Sequence, residues 1–459
     1  MKKYDVIVIG SGAGAFIAEN ALQHDMSVAL IDKGPLGGTC LNLGCIPSKM
    51  LVYPADRIIE IREAKRFGIH TEISRIDFGD IMARMRRKVQ QDAGHMREGI
   101  THTEELDYYE TEGRFTGDSI IEAGGTAMYG NKIFIAAGAR PHIPEGIGLE
   151  KVKYLTNESV LQLTERPESM IIIGGGYIAA EYGHFFSAMG TDVTIVQRNK
   201  MLMPDEEPEL SERLLRALQK RMSIRTGMEV IQVKSAGNTV SVTGKDAKSG
   251  KTEEFNAVTV LVVTGRQSNA DLLQVKQTGV KTDDRGYILV DEYLKTNKKN
   301  IWAFGDIIGK EMFRHVANRE ASVAWHNAME KEKQIMDYHA APHAIFTYPE
   351  VASVGMKEYE ALAEYGPEQI LIGKASYRDV AMGDAMLDED GFAKAIVHRG
   401  KSTVIGFHII GAHASILIQE TVNAIAVGGD FRLFGQGMHI HPALSEVIIA
   451  TLNNLAPPL

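Results

Sequence analysis

Val6-Ile7-Val8-Ile9-Gly10-Ser11-Gly12-Ala13-Gly14-Ala15 runs four apolar residues into a glycine-dense turn. The unbroken apolar run reads as a buried strand, and the turn has G-x-G-x-x-A spacing through Gly10, Gly12 and Ala15. A helical stretch continues to about Gln23, and a second strand, predicted over residues 27–31, closes on Asp32. In such a βαβ unit the glycines permit a tight turn and bring the backbone close to a pyrophosphate, whose charge the helix N-terminus stabilises. Asp32 stands 22 residues after the first glycine, where it would accept from a ribose hydroxyl. A glycine motif alone is a weak signal. Strand, motif, helix, strand and acid in that order favour a dinucleotide site over a merely tight turn.

The same unit returns 164 residues later. Residues 170–173 read as a buried strand, Gly174-Gly175-Gly176-Tyr177-Ile178-Ala179 as the turn, 180–189 as a helix and 191–196 as the next strand. Two dinucleotides are therefore implied. At the end of the second unit the acid is absent, and Gln197-Arg198-Asn199-Lys200 takes the place of Asp32. An acid would repel a 2′-phosphate, whereas Arg198 and Lys200 could pair with one, which favours NADPH over NADH. The competing reading leaves both cations simply solvated.

Between the units, residues 130–140, including Ala137, read as a strand, and Pro141, Pro144, Gly146 and Gly148 as a crossover. A second strand ending, 258–266 with Gly265, closes the second unit, and 296–306 ends an apolar strand in Gly305-Asp306. A carboxylate there is well placed to hold a polyol chain. From about residue 341 no glycine fingerprint recurs. Alternating patterns over 392–397 and 404–410 and an amphipathic helix near 415–427 predict an α+β domain of about 120 residues.

Composition agrees with a multidomain globular protein. At 459 residues the length prior is about three domains. Fifty basic against 59 acidic residues leave a net charge of −9, with 24% charged and 44% hydrophobic residues, which disfavours disorder and nucleic-acid binding. No run approaches the roughly 18 apolar residues of a membrane span, and residues 1–9 enter a strand without a signal-peptide pattern. The expectation is a soluble, cytoplasmic protein. Two cysteines, Cys40 and Cys45, exclude a disulfide framework.

Those cysteines stand in Gly37-Gly38-Thr39-Cys40-Leu41-Asn42-Leu43-Gly44-Cys45-Ile46-Pro47-Ser48-Lys49. In a regular helix residues five apart lie about 8.7 Å apart, beyond the roughly 4.4–6.8 Å a disulfide spans, so the backbone must break, and Gly44 allows it. Pro47 suits a first helical turn, which puts Cys45 at the helix N-terminus, where the dipole favours a thiolate; Lys49 follows one turn on. A structural bridge closing so short a loop contributes little, and a zinc site lacks two further ligands. A pair that cycles between disulfide and dithiol remains, and no metal is expected.

This segment, between two dinucleotide fingerprints and ahead of Gly305-Asp306, resembles the class I pyridine nucleotide-disulfide oxidoreductases, and the likeness runs essentially end to end. The resemblance implies an α/β fold: two Rossmann-like domains, for FAD and NAD(P), and a C-terminal α+β dimerisation domain. The FAD domain would take 1–149 and 272–340, the NAD(P) domain 150–271 and the interface domain 341–459. By similarity Gly10, Gly12, Asp32, Gly38, Thr39, Ala137, Gly305 and Asp306 would hold FAD, with Asp306 on the ribityl chain. Lys49 would sit near flavin N5, paired with Glu181. NADPH or NADH would bind at Gly174, Gly176, Arg198 and Gly265, with Tyr177 covering the nicotinamide pocket unless it is an ordinary packing aromatic. Cys45 would face the flavin and Cys40 would exchange with substrate.

Of fifteen histidines, His441 in Met438-His439-Ile440-His441-Pro442-Ala443-Leu444-Ser445-Glu446 is similar to the family's acid–base residue, with Glu446 orienting it. Spacing alone does not prove that contact, because helical positions five apart diverge by about 140°. In this family the histidine reaches the other subunit's disulfide, so a homodimer with a shared active site is implied.

Within the family, the lack of cysteine after Cys45 argues against mercuric reductase and large thioredoxin reductases. Pro47-Ser48-Lys49 and His439-Ile440-His441 look more like dihydrolipoyl dehydrogenase than glutathione reductase. Residues 268–273, 290–293, 315–318 and 380–386 look like mycothione reductase, with which Arg198 agrees. NADPH-dependent reduction of a low-molecular-weight disulfide is the first reading, and oxidation of dihydrolipoamide by NAD+ the second. A flavoprotein scaffold in an acyltransferase complex is the non-enzymatic alternative.

Overall fold

The computed structural model describes residues 1–458. Strand Lys2–Ile9 lies inside a seven-stranded sheet, paired in parallel with Val28–Ile31 on one side and Thr126–Ile135 on the other. Leu106–Tyr109 extends the first side, also in parallel. Strand Thr126–Ile135 is shared along its length: its first half pairs antiparallel with Ile120–Ala123 and its end pairs in parallel with Ile301–Ala303. Residues from two distant parts of the chain thereby form one sheet. Its core is aliphatic and aromatic, with Phe134 stacked on Trp302 at 5.4 Å between ring centroids.

The second unit repeats the arrangement on a smaller scale. Strands Ser223–Arg225, Asp192–Val196, Ser169–Ile173 and Thr259–Val262 lie in that order, all parallel. A three-stranded antiparallel sheet, Met228–Ala236, Thr239–Asp246 and Thr252–Ala257, adjoins it. The two units are tied by a short antiparallel pair, Ala139–Pro141 with Arg266–Ser268. The strands expected over 130–140 and 258–266 are therefore each interrupted. Gly138 and Gly265 take φ of +67° and +124°, so the chain leaves one sheet at each break and enters the connecting ladder. The last segment of 296–306 is likewise shorter than expected: only Ile301–Ala303 pairs as a strand, and Gly305–Ile308 forms a 3₁₀ turn.

The C-terminal region carries a five-stranded antiparallel sheet with helices Ala414–Ala426 and Glu446–Asn453 packed on it. Strand Phe392–His398 is buried at every position, including Lys394. That ammonium lies 2.6 Å from Glu207 and 3.3 Å from Glu209, and also meets Glu358. A buried cation is tolerated only when so surrounded, and this cluster joins the sheet to helix Pro208–Gln219 of the second unit. No helix among the described residues is long and apolar enough to cross a membrane.

Candidate active site

One cavity of about 2030 Å³ runs between these units, roughly twice the upper end of ordinary small-ligand pockets. The first glycine turn lines one end. Gly10 has φ of +100°, and a Cβ there would stand 2.3 Å from the Ala136 carbonyl oxygen, so no other residue fits. A Cβ on Gly12 would meet nothing closer than 3.8 Å, which leaves its face open to the cavity. The tightest helix-to-strand approach is at Gly14, where a Cβ would fall 2.8 Å from a Val8 methyl. Ala15, expected at the site, does not line the cavity. Helix Gly14–Leu22 has no side-chain cap at its start; the Ala15 and Phe16 N–H groups donate to the Gly12 and Ala13 carbonyls at 3.4 and 3.3 Å, and the N–H groups of Gly12, Ala13 and Gly14 are left for a ligand. The uncapped helix and the bare glycines fit a pyrophosphate.

Asp32 lines the same end, with one carboxylate oxygen accepting from the Ser11 N–H at 2.6 Å and the other from Gly34 at 2.7 Å. Gly38, Thr39 and Ala137 also face the cavity. Further along it, Asp306 lies 3.7 Å from the buried Arg266 guanidinium, yet burial still raises its carboxyl above the usual range. The turn that carries it is fixed by Glu320, which is fully buried and accepts from the Gly305 N–H at 2.6 Å and from the Tyr338 hydroxyl at 2.6 Å. Burial pushes Glu320 up to about 7.

The cysteines lie at the middle of the cavity. Helix Gly38–Asn42 carries Cys40 and ends at Leu43, Gly44 breaks the backbone with ψ of −110°, and helix Cys45–Glu63 starts on the second cysteine. Both are thiols here, hydrogen-bonded to each other. That bond splits their acidity. It raises Cys40, aided by burial, and brings Cys45 down to about 7, aided by the Lys49 charge and the backbone of its own helix start. Helix Cys45–Glu63 packs on helix Tyr177–Met189, so Lys49 reaches across to Glu181, with both N–O distances 2.9 Å. Glu181 is only 6% exposed, and it also accepts from the Phe346 N–H at 3.0 Å. Tyr177 lines the cavity at the start of that helix, 6.1 Å from the Phe313 ring, its hydroxyl pushed by burial up to about 12.

Replacing Lys49 by Met removes a charge that favours the Cys45 thiolate and leaves the buried Glu181 opposing it. The reduced variant should therefore ionise its first thiol at higher pH, with several-fold less thiolate at neutrality. Thiolate absorbance near 240 nm against pH measures this, and a curve superimposable on the parent's would contradict it.

The second glycine turn copies the first. Gly174 has φ of +123°, and a Cβ there would lie 2.4 Å from the Val263 carbonyl oxygen, as Gly10 does with Ala136. Helix Tyr177–Met189 starts at Gly176 without a side-chain cap, three residues earlier than the sequence predicts. Gly175 is bare because Gln197 packs over it, 2.6 Å from where its Cβ would be. Arg198 and Lys200 project into solvent, with no hydrogen-bond or ion-pair partner among the described residues. Gly174, Gly176, Arg198 and Gly265 stand outside the large cavity.

The cavity of a single chain does not include His441 or Glu446. These two meet each other: the His441 Nδ1 is 2.9 Å from a Glu446 oxygen, whose other oxygen accepts from the Ala443 N–H at 3.0 Å. The His441 side chain is 72% exposed. The helical-angle objection does not apply, because His441 precedes the helix that Glu446 begins. Around the pair, Met438 and Ile440 are strongly exposed apolar residues. No cluster of metal-binding side chains occurs among the described residues.

The family model for pyridine nucleotide-disulphide oxidoreductases matches residues 4–328, and the model for the dimerisation domain of those enzymes matches 341–451. Mycothione reductase of Mycobacterium tuberculosis is 36% identical over 98% of both chains. Dihydrolipoyl dehydrogenase of Chlamydia pneumoniae is 33% identical over 97% of this chain and 95% of its own. The solved structure of the HOCl-induced flavoprotein disulfide reductase RclA from Escherichia coli superposes with a TM-score of 0.86 at 24% identity, covering 98% of this chain and 99% of that one.

Proposed function

The chain belongs to the pyridine nucleotide-disulphide oxidoreductases, FAD-dependent enzymes that act on sulfur groups with a pyridine nucleotide as electron donor, and from that premise we propose that it reduces a low-molecular-weight disulfide with NADPH. The single observation that carries the direction and donor is the pair of unpartnered cations, Arg198 and Lys200, at the strand end where the first unit has Asp32. The greater identity to mycothione reductase than to dihydrolipoyl dehydrogenase supports the same choice.

In this reading the first cradle takes FAD, held by Gly10, Gly12, Asp32, Gly38, Thr39, Ala137 and Asp306, and the second takes the nicotinamide dinucleotide. FAD bound there would supply two-electron transfer between the nicotinamide and the Cys40–Cys45 disulfide. Lys49 and Glu181 keep a fixed, partly buried charge pair beside Cys45, whose low thiol pKa lets it hold negative charge at neutral pH. The Cys40 thiol, which loses its proton less readily, needs a base. The partner subunit's His441, oriented by Glu446, is that base. The Cys40 thiolate attacks the substrate disulfide, its S–S bond breaks, and the departing thiolate takes the proton from the imidazolium. Cys45 then attacks Cys40 sulfur, releases the second thiol and restores the internal disulfide. NADPH, a proton and one disulfide become NADP+ and two thiols.

The domain division at 1–149 with 272–340, 150–271 and 341–459, and a cytoplasmic setting, are part of this proposal. Steady-state assays with each nicotinamide, on lipoamide and on a panel of thiol disulfides, test it. A strong NADH preference with lipoamide turnover would instead support the dihydrolipoyl dehydrogenase reading. Arg198→Ala should lower kcat/KM for NADPH by about tenfold to a hundredfold, as loss of a charge-assisted hydrogen bond does, and leave NADH unchanged. Equal losses with both donors would remove Arg198 from donor selection.

A further inference from the structure

Seven lysine and arginine side chains line the large cavity. Lys33, Lys49, Lys88, Arg140 and Arg266 each meet a carboxylate: Glu112, Glu181, Asp92, Asp271 and Asp306. Among the described residues, Arg84 and Arg314 have no hydrogen-bond or ion-pair partner. Arg84 is exposed on helix Phe78–Thr101, but Arg314 is half-buried. A guanidinium withdrawn from water without an anion is costly, so the position of Arg314 calls for a ligand.

Its position names the ligand. The Arg314 Nη1 lies 3.8 Å from where a Cβ on Gly12 would be, directly over the open face of the first glycine turn. That turn offers backbone N–H groups and a helix dipole, but its motif contains no cation. Arg314 supplies one from a distant part of the chain. It is the first residue of helix Arg314–Met329, which packs on helix Gly14–Leu22 and is held at Glu320 by the Gly305 N–H. Two contacts therefore hold the helix that carries Arg314 beside the cradle.

We propose that Arg314 is a diphosphate-binding residue of the first dinucleotide cradle, resting on the reading that this cradle takes FAD. The planar guanidinium can donate two parallel hydrogen bonds to phosphate oxygens, and it neutralises charge that the backbone N–H groups only partly offset. Arg314 makes no hydrogen bond or ion pair among the described residues, but its charge also favours the Cys40 thiolate, so FAD binding rather than turnover is the quantity to read.

Holoprotein of the parent, R314M and R314K tests this by dilution, reading the fluorescence of released flavin, and by ³¹P NMR of bound FAD. R314M should raise the FAD dissociation constant about tenfold to a hundredfold, and R314K, which keeps the charge, should retain most of the affinity. In R314K the two diphosphate resonances should move while the flavin absorption bands match the parent's. FAD retention by R314M equal to the parent's, or diphosphate resonances unchanged in R314K, would overturn the assignment. If R314M does not fold, the R314K resonances decide alone. A parent protein that binds no FAD would instead sink the reading of the cradle itself.

Discussion

Cys40→Ser is expected to lower disulfide reduction by on the order of 10⁴-fold or more, while NADPH oxidation with a small dye as acceptor persists. The separation follows from where Cys40 stands. It shares the centre of the cavity with Cys45 and is hydrogen-bonded to it, but Lys49 and Glu181 pair with each other across the two packed helices without its help. A serine hydroxyl at 40 is a far weaker nucleophile than a thiolate and forms no disulfide with Cys45, so neither the attack on substrate nor the regeneration step survives. The cradle at Gly10 and Gly12 and the turn at Gly305 are untouched, and the variant should keep its colour. Parallel assays of disulfide reduction and dye reduction measure the effect. Loss of both together would mean that Cys40 supports the cavity rather than exchanging with substrate, and retention of both would remove the paired sulfurs from the reaction.

The parts of this site legible in the sequence are those in which local chemistry and local geometry coincide. Gly10 and Gly174 are forced by the path of one turn each, so their spacing announces them, and the carbonyls they approach, Ala136 and Val263, occupy corresponding places in the two units. Cys40, Gly44, Cys45 and Lys49 fall within one helix–break–helix segment, and the need for a break between the cysteines follows from helix dimensions alone. Contacts made by the topology left no such trace. Glu320 holds Gly305 from 15 residues away, and nothing in its surroundings marks it as a residue that fixes a turn in a parallel sheet. Lys394 and Glu207 are 187 residues apart and meet only because the C-terminal sheet folds onto helix Pro208–Gln219. Arg314 belongs to the same class, since its place over Gly12 depends on two helices packing side by side. The single strands expected over 130–140 and 258–266 failed for a related reason: apolar periodicity does not reveal that one run serves two sheets.

His441 carries the other large expected effect. Exposed on its own chain and absent from that chain's cavity, but oriented by Glu446, it has the form of a base whose substrate lies elsewhere. His441→Ala should reduce disulfide turnover by about 10² to 10⁴, the usual contribution of a positioned general base, with little effect on dye reduction. Whether it acts within or between chains is decided by mixing. Refolding equal amounts of C40S and H441A protomers gives about half heterodimers at random, and in each of these only the cavity on the H441A protomer has both its own Cys40 and the partner subunit's His441. Action across the interface therefore predicts recovery of about a quarter of the parent activity from two inactive parents. Action within one chain predicts none, because every cavity would then carry one lesion. Co-expression with two different affinity tags, followed by sequential purification of the heterodimer, removes the random assortment and should raise recovery to about half. Recovery at the level of the separate variants, from a heterodimer shown to be assembled, would exclude the shared site and leave Cys40 to find its base within its own chain.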